Sequence, residues 1–231
     1  MSATDRDQLK RAAALRAIEE VEDGMVIGLG TGSTAAFVVE GLAARVADGL
    51  QVIGIPTSER TAAQARRLGI PIATFAEHQR LDLTIDGADE VALGTLDLIK
   101  GLGGALLREK IVAAASARLI IVVDQEKLVK RLGEHTPVPV EVTPFGWQVT
   151  AVALARLGCT PQRRYTSGEQ PYLTDGGNYI LDCSFGPLAD PSLIERRIVK
   201  TVGTVESGLF VGRTSIVVVA STTGVEVLTP F

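Results

Sequence analysis

The chain has 231 residues, 46% hydrophobic and 22% charged, with a net charge of -4 at pH 7. That balance excludes a disordered chain, and with roughly 100–200 residues per domain it allows one large domain or two small ones. A nucleic-acid partner is disfavoured because it calls for a basic surplus, and the aliphatic runs at 119–123 and 216–220 are far too short to span a membrane. The charged, helical start lacks the apolar stretch of a signal peptide, so the expected location is cytoplasmic. Cys159 and Cys183 are too few for a disulfide framework and are expected as buried free thiols in strands.

In chain order, the first element reads as a helix. Thr4 stands three residues before Asp7 at capping-box spacing, Ala14, Ile18 and Val21 share one side, and Gly24 follows the end. Residues 25–29 form an apolar run ending in glycines, before a helical stretch over 34–47. The alternation continues with strands at 51–55, 81–85 and 119–123 and helices at 59–68 and 104–115. Strands alternating with helices predict an open, Rossmann-like α/β domain, its mostly parallel sheet covered by helices on both faces.

After Gly133 the texture changes. A strand at 138–142 bracketed by prolines, a helix at 145–157 and a strand at 159–164 come first. Strands at 171–174 and 178–183 then flank the turn Asp175-Gly176-Gly177, and a helix at 191–202 follows Asp190. That order approaches the β-α-β-β-α-β pattern of a ferredoxin-like α+β unit. A final aliphatic strand at 214–220 is expected to return to the first sheet. The expected division is 1–131 with 204–231 as the larger domain and 132–203 as the smaller.

Three segments could carry chemistry. Gly28-Leu29-Gly30-Thr31-Gly32-Ser33-Thr34 joins a strand to a helix, where glycines admit close backbone approach and helix-start amides favour an anion. It lacks the Gly-Lys-Ser/Thr of a P-loop, and Ser33 replaces the third glycine of a dinucleotide fingerprint. Asp86-Gly87-Ala88-Asp89-Glu90 follows a strand, at the edge where open parallel sheets bind ligands. Its carboxylates could exchange protons with a sugar hydroxyl or hold a cation, although by itself the segment reads as a polar turn. In Lys100-Gly101-Leu102-Gly103-Gly104-Ala105-Leu106-Leu107-Arg108-Glu109-Lys110 a glycine loop opens into a helix carrying an acid. Lys100 could stabilise an oxyanion and Glu109 act as a base, while the charge run alone reads as a solvated helix face. Residues 57–61 read as a helix N-cap and Lys127 as a surface lysine. His78 and His135 have no Cys or His at ligand spacing and read as structural or solvated, and no G-x-S-x-G elbow is present.

Taken together and in order, these segments resemble the type A ribose-5-phosphate isomerase family. The resemblance rests on 30–35, 57–59, 86–90 and 100–110, then on Pro139-Val140-Glu141-Val142, Thr174 to Tyr179 and Glu206-Ser207-Gly208-Leu209-Phe210, so it covers nearly the whole chain. It implies a metal-independent, cofactor-free interconversion of D-ribose 5-phosphate and D-ribulose 5-phosphate in the non-oxidative pentose phosphate pathway. It also implies a homodimer or homotetramer whose partner is a small phosphosugar, not nucleic acid or membrane. By resemblance Glu109 moves the proton between C1 and C2 and Lys100 stabilises the enediolate. Asp86 and Asp89, with Gly87 and Ala88 between them, bind sugar hydroxyls, and Asp86 also assists ring opening. Thr31, Gly32, Ser33 and Thr34 hold the phosphate, helped by Lys127 and Lys10, while Lys100, Gly101, Leu102 and Gly103 close over the sugar. Gly176 and Ser207 depart from the family pattern, where Asn is common at both.

Two rival readings differ in class. A sugar-phosphate sensing module of a transcription regulator would need a DNA-binding unit, and one helix before the first strand is too little for a helix-turn-helix. A related phosphosugar deaminase or lactonase would recruit a histidine, which neither His78 nor His135 supplies from a recognisable site loop.

Overall fold

The computed structural model describes residues 3–230. In chain order its elements are α1 (Ala3–Ile18), β1 (Val26–Leu29), α2 (Ser33–Ala47), β2 (Ile53–Pro56), α3 (Glu59–Arg67), β3 (Leu81–Asp86), β4 (Glu90–Ala92), β5 (Leu98–Ile99), α4 (Leu106–Ala114) and β6 (Ser116–Asp124). A 3-10 turn over Gln125–Lys127 leads to β7 (Leu128–Val129), β8 (Val138–Val142), α5 (Trp147–Ala155), β9 (Thr160–Arg163), β10 (Tyr179–Ser184) and α6 (Pro191–Val199). The last strands are β11 (Thr204–Ser207), β12 (Leu209–Phe210), β13 (Ile216–Ser221) and β14 (Gly224–Leu228).

Packing divides the described residues into two compact units. The first holds residues 3–88, 108–128 and 213–230, the second Asp89–Leu107 and Val129–Gly212. The segments 89–107 and 204–212, expected with the larger domain, pack with the second unit.

In the first unit six strands run in the order β14-β13-β6-β3-β1-β2, all parallel except the edge strand β14. Alternate residues of the parallel strands enter one core with α1 and α2: Ile27 and Leu29, Leu83 and Ile85, Ile120 and Val122, Val218 and Ala220. Each of the larger of these side chains, all but Ala220, stabilises the fold by about 1.5–3 kcal/mol when fully buried. The other face receives α4, whose Val112 packs with Ile55 and Leu81. Gly28 explains how α4 comes so close: a Cβ there would meet Val112 and the hydroxyl of Thr84. Ser58 caps α3, accepting a hydrogen bond from the Thr61 amide at 3.1 Å, and Asp190 caps α6 through the Leu193 amide at 2.8 Å with Pro191 at the first turn.

The second unit contains the sheet β11-β8-β10-β9, antiparallel throughout. With α5 and α6 this is a ferredoxin-like β-α-β-β-α-β unit. A second small sheet, β12-β5-β4-β7, lies in the same unit. The core here joins Val138, Val140 and Val142 to Leu154, Leu181, Cys183 and Ile198.

Several sequence expectations shift. The helix at the start already includes Thr4, whose side chain lies outside the described residues. Residues 171–174 form no strand, only the single bridge Tyr165 to Pro171, because the turn that follows begins at once with Thr174 accepting the Gly177 amide. The aliphatic strand near the end is not the last: β14 folds back on it as a hairpin. The strands β4, β5, β7 and β12 have two or three residues each, too few to show a period of two in sequence. Both cysteines are free and buried. Cys183 lies in β10, but Cys159 precedes β9, and the neighbouring Cys159 together with burial pushes the Cys183 thiol up.

Candidate active site

In the first unit the chain passes from β1 outward to β2, then crosses back to β3 on the other side of β1. The carboxyl ends of β1 and β3 therefore flank a topological switch point, the place where open α/β sheets bind ligands. The first sequence segment and the start of the second, Asp86 to Ala88, sit there. Asp86 is the last residue of β3 and is 1% exposed. Its Oδ1 accepts the Thr31 amide at 3.0 Å and the Gly87 amide at 2.8 Å. Charge-assisted bonds of this kind lock the first loop onto the second. Gly30 makes the approach possible, since a Cβ there would collide with the Asp86 carboxylate.

Thr31 turns its hydroxyl inward. It lies 2.7 Å from the Thr57 hydroxyl, 2.8 Å from that of Ser58 and 3.1 Å from that of Thr61. Thr61 in turn donates to the Gly30 carbonyl at 2.9 Å and Thr57 to the Leu29 carbonyl at 3.0 Å. Residues 57–61, expected only as a helix cap, thus also brace the glycine loop from below. The loop then rises through Gly32, at φ 119°, into α2, which has no side-chain cap. Ser33 is exposed and Thr34 half-buried at this helix start, where amides and macrodipole favour an anion. Lys10 reaches the same point from α1, its Nζ donating to Ser33 Oγ at 3.1 Å. Lys127, half-buried, stands in the turn after β6, the strand beside β3. Gly87 lies against Thr34, which a Cβ at that position would touch at 3.9 Å.

Glu109 lies on α4 and is 3% exposed, and Lys110 beside it is 5% exposed. Only Arg108 of that charge run keeps its charge at the surface, where it pairs with Glu59 at 2.8 Å. The solvated-face reading of 108–110 is therefore overturned for its last two residues: the stripe of α4 that turns inward includes Leu106, Glu109 and Val112.

In the second unit Lys100 directly follows β5 and is 3% exposed, with its Nζ 5.6 Å from the centre of the Phe210 ring. Its amide donates to the Gly208 carbonyl at 2.8 Å. The loop that follows is half open, Leu102 and Gly103 being exposed and Gly101 buried. Asp89 accepts the Leu102 amide on Oδ2 at 2.9 Å. Ala88 is half-buried between the two acids. Glu90 does something different from Asp86 and Asp89. Buried to 1%, it accepts the amides of Gly133, His135 and Thr136 at 2.6 to 2.7 Å and anchors the chain ahead of β8.

Glu141 explains two distant pieces of the sequence pattern at once. Its Oε1 accepts the Thr174 hydroxyl and the Asn178 side-chain amide, each at 2.9 Å. Arg164 and Tyr172, not marked by any local pattern, lie against the 100–104 loop some sixty residues earlier, and Asp182 holds the Arg164 side chain. His78 is half-buried and His135 exposed. Among the described residues no group of three or more His, Cys, Asp and Glu side chains is arranged to hold a metal ion, and no helix is long and apolar enough to cross a membrane.

Comparison with known proteins now adds to this geometry. Residues 53–224 match the family model described as ribose 5-phosphate isomerase A (phosphoriboisomerase A). The chain is 67% identical over 226 residues to the ribose-5-phosphate isomerase A of Gloeobacter violaceus, covering 98% of each chain. It is 56% identical to that of a Synechococcus strain, covering 96% of this chain and 97% of that one. Among solved structures, ribose 5-phosphate isomerase A of Methanocaldococcus jannaschii superposes with a TM-score of 0.93 at 41% identity, covering 96% and 99% of the two chains. A D-ribose-5-phosphate isomerase in complex with phospho-erythronic acid gives 0.94 at 36% identity, covering 97% and 99%. Matched over nearly its whole length in sequence and in fold, the chain belongs to the ribose 5-phosphate isomerase A family.

Proposed function

We infer that this chain interconverts D-ribose 5-phosphate and D-ribulose 5-phosphate through an enediolate. The observation that carries the reading is the burial of Glu109, a carboxylate withdrawn from solvent on the helix that follows the Lys100 loop, in a chain of this family. A base that must take a proton from carbon works best away from bulk water, where its lone pair is not already solvated.

The steps follow from the residue types. Asp86, aided by Asp89, handles the sugar hydroxyls and helps open the ring. Glu109 removes the proton on C2 of the open aldose, and the electron pair forms the C1–C2 double bond while charge moves to O1. Lys100 offsets that charge. Return of the proton to C1, with transfer of the O2 hydrogen to O1, gives the ketose. Gly32, Ser33 and Thr34 hold the 5-phosphate with Lys10 and Lys127, supported by the uncapped start of α2, while Thr31, expected among them, braces the loop from within. Gly87 and Ala88 line the sugar, and Gly101, Leu102 and Gly103 cover it. Phospho-erythronic acid, the ligand of the solved relative, joins a phosphate to an acid head, the two charges these groups address. The same reading makes the chain a cytoplasmic homodimer or homotetramer of the non-oxidative pentose phosphate pathway.

The test is conversion of ribose 5-phosphate by the pure protein in EDTA, with Glu109→Gln beside it. Turnover by the wild type alone supports both the reaction and its base. Binding of the phosphosugar without conversion by either protein would move a sensing role ahead.

A further inference from the structure

The loop 100–104 is held from two directions within the second unit. On one side the Asp89 carboxylate accepts the Leu102 amide at 2.9 Å. On the other, Arg164 Nη1 donates to the carbonyls of Gly101 at 2.8 Å and Leu102 at 3.1 Å. The rest of that guanidinium is itself fixed: Nε donates to Asp182 Oδ2 at 2.9 Å and Nη2 pairs with Asp182 Oδ1. Arg164 follows β9 and Asp182 lies in β10, a diagonal cross-strand pair. Their side chains are 12% and 23% exposed, so this pair is more than a surface ion pair. Tyr172 closes the arrangement. Its ring lies 5.9 Å from the guanidinium, and its hydroxyl fills the space a Cβ on Gly104 would need.

The geometry points to Arg164, clamped by Asp182, as the positioning residue of the substrate loop. In a trans peptide the C=O and the following N–H point in opposite directions. Fixing the carbonyls of Gly101 and Leu102 toward Arg164 therefore turns the amides of Leu102 and Gly103 away from it. One of these reaches Asp89; the other, on an exposed glycine, is presented as a donor to a sugar oxygen. The planar fork of arginine serves two carboxylate oxygens and two carbonyls at once, which the point charge of lysine does not. The position of Lys100, one residue before this anchored segment, is set with it.

This inference rests on the isomerase reading for its kinetic consequence but not for its structural one. In Arg164→Lys, turnover of ribose 5-phosphate should fall about tenfold or more, while the protein stays folded, because misplacement of positioning groups costs up to about a hundredfold. Hydrogen exchange of the Leu102 and Gly104 amides should quicken in the same variant, with exchange in β8 and β10 unchanged. Free guanidinium should restore part of the activity of Arg164→Ala. Wild-type turnover and wild-type loop exchange in Arg164→Lys would overturn the proposal. If the wild type itself did not convert ribose 5-phosphate, the functional reading would fail, and the exchange measurement alone would still decide whether Arg164 sets the loop.

Discussion

Two glycine-rich loops serve this molecule, and they are built in opposite ways. The loop after β1 is held by residues that the parallel sheet itself brings near: Asp86 at the end of the next strand, and the hydroxyls of Thr57, Ser58 and Thr61 after β2. The loop after β5 is held by Arg164 and Tyr172, more than sixty residues later, from the edge of an antiparallel sheet. The first is a property of a strand-turn-helix repeat at a switch point. The second exists only when another part of the second unit has folded. Similar composition therefore conceals different origins: the first loop is held by neighbours within its own repeat, and the second by a clamp distant in sequence.

Neither loop supplies the proposed base, so the largest effect should come without disturbing either. Glu109→Gln is expected to lower kcat on the order of 10³-fold, within the range for a general base. Its KM and melting temperature should stay near wild type, since amide and carboxyl have the same shape. Near-normal turnover would remove Glu109 from the chemistry.

The two glycines that admit the bracing groups separate the loops more sharply. Gly30→Ala places a methyl against the carboxylate and backbone of Asp86, which cannot yield, so a loss of about 1–3 kcal/mol is expected. Gly104→Ala places one against Tyr172 at a φ of 83°. Tyr172→Ala should relieve the steric part of that loss and leave about 1 kcal/mol of backbone strain. Thermal melts of the single and double variants check this. Equal rescue of both glycine variants by distant changes would erase the distinction.

At the proposed phosphate site, Lys127→Ala should raise KM about tenfold, equivalent to about 1.4 kcal/mol, with kcat little changed in steady-state assays. The smallest effect belongs to Thr31→Val, which removes one hydroxyl from the buried cluster. About 1 kcal/mol of stability is expected to go, seen as a modest fall in denaturation midpoint without a change in mechanism.

How far the sequence carried this picture follows the same divide. The alternation of aliphatic strands with helices, and the glycine turn leading into α2, announced the parallel sheet, because burial on both faces makes its strands continuous apolar runs. The site segments after β1 and β3 were visible for the same reason. Most of the ferredoxin-like order was visible too, from the prolines around β8 and the turn before β10, but its last strand, β11, was not. What did not show was anything set by side chains meeting across distance. The burial of Glu109 and Lys110 contradicts the look of a charged helix face, and only the family resemblance pointed the other way for Glu109. The anchoring role of Glu90 beside two acids of the proposed site depends on a nest of amides at 133–136. The clamp of Arg164 and Asp182 has no local signature at all.

The most direct test of the central claim is to run the reaction in D2O and follow the carbon-bound hydrogens by NMR. Proton transfer by a carboxylate predicts solvent deuterium at C1 of ribulose 5-phosphate, and at C2 of ribose 5-phosphate on longer equilibration, with no label in the Glu109→Gln reaction. Conversion at full rate with the original hydrogen wholly retained, even after long equilibration, would mean that it moves without exchange through a base, and would contradict the account.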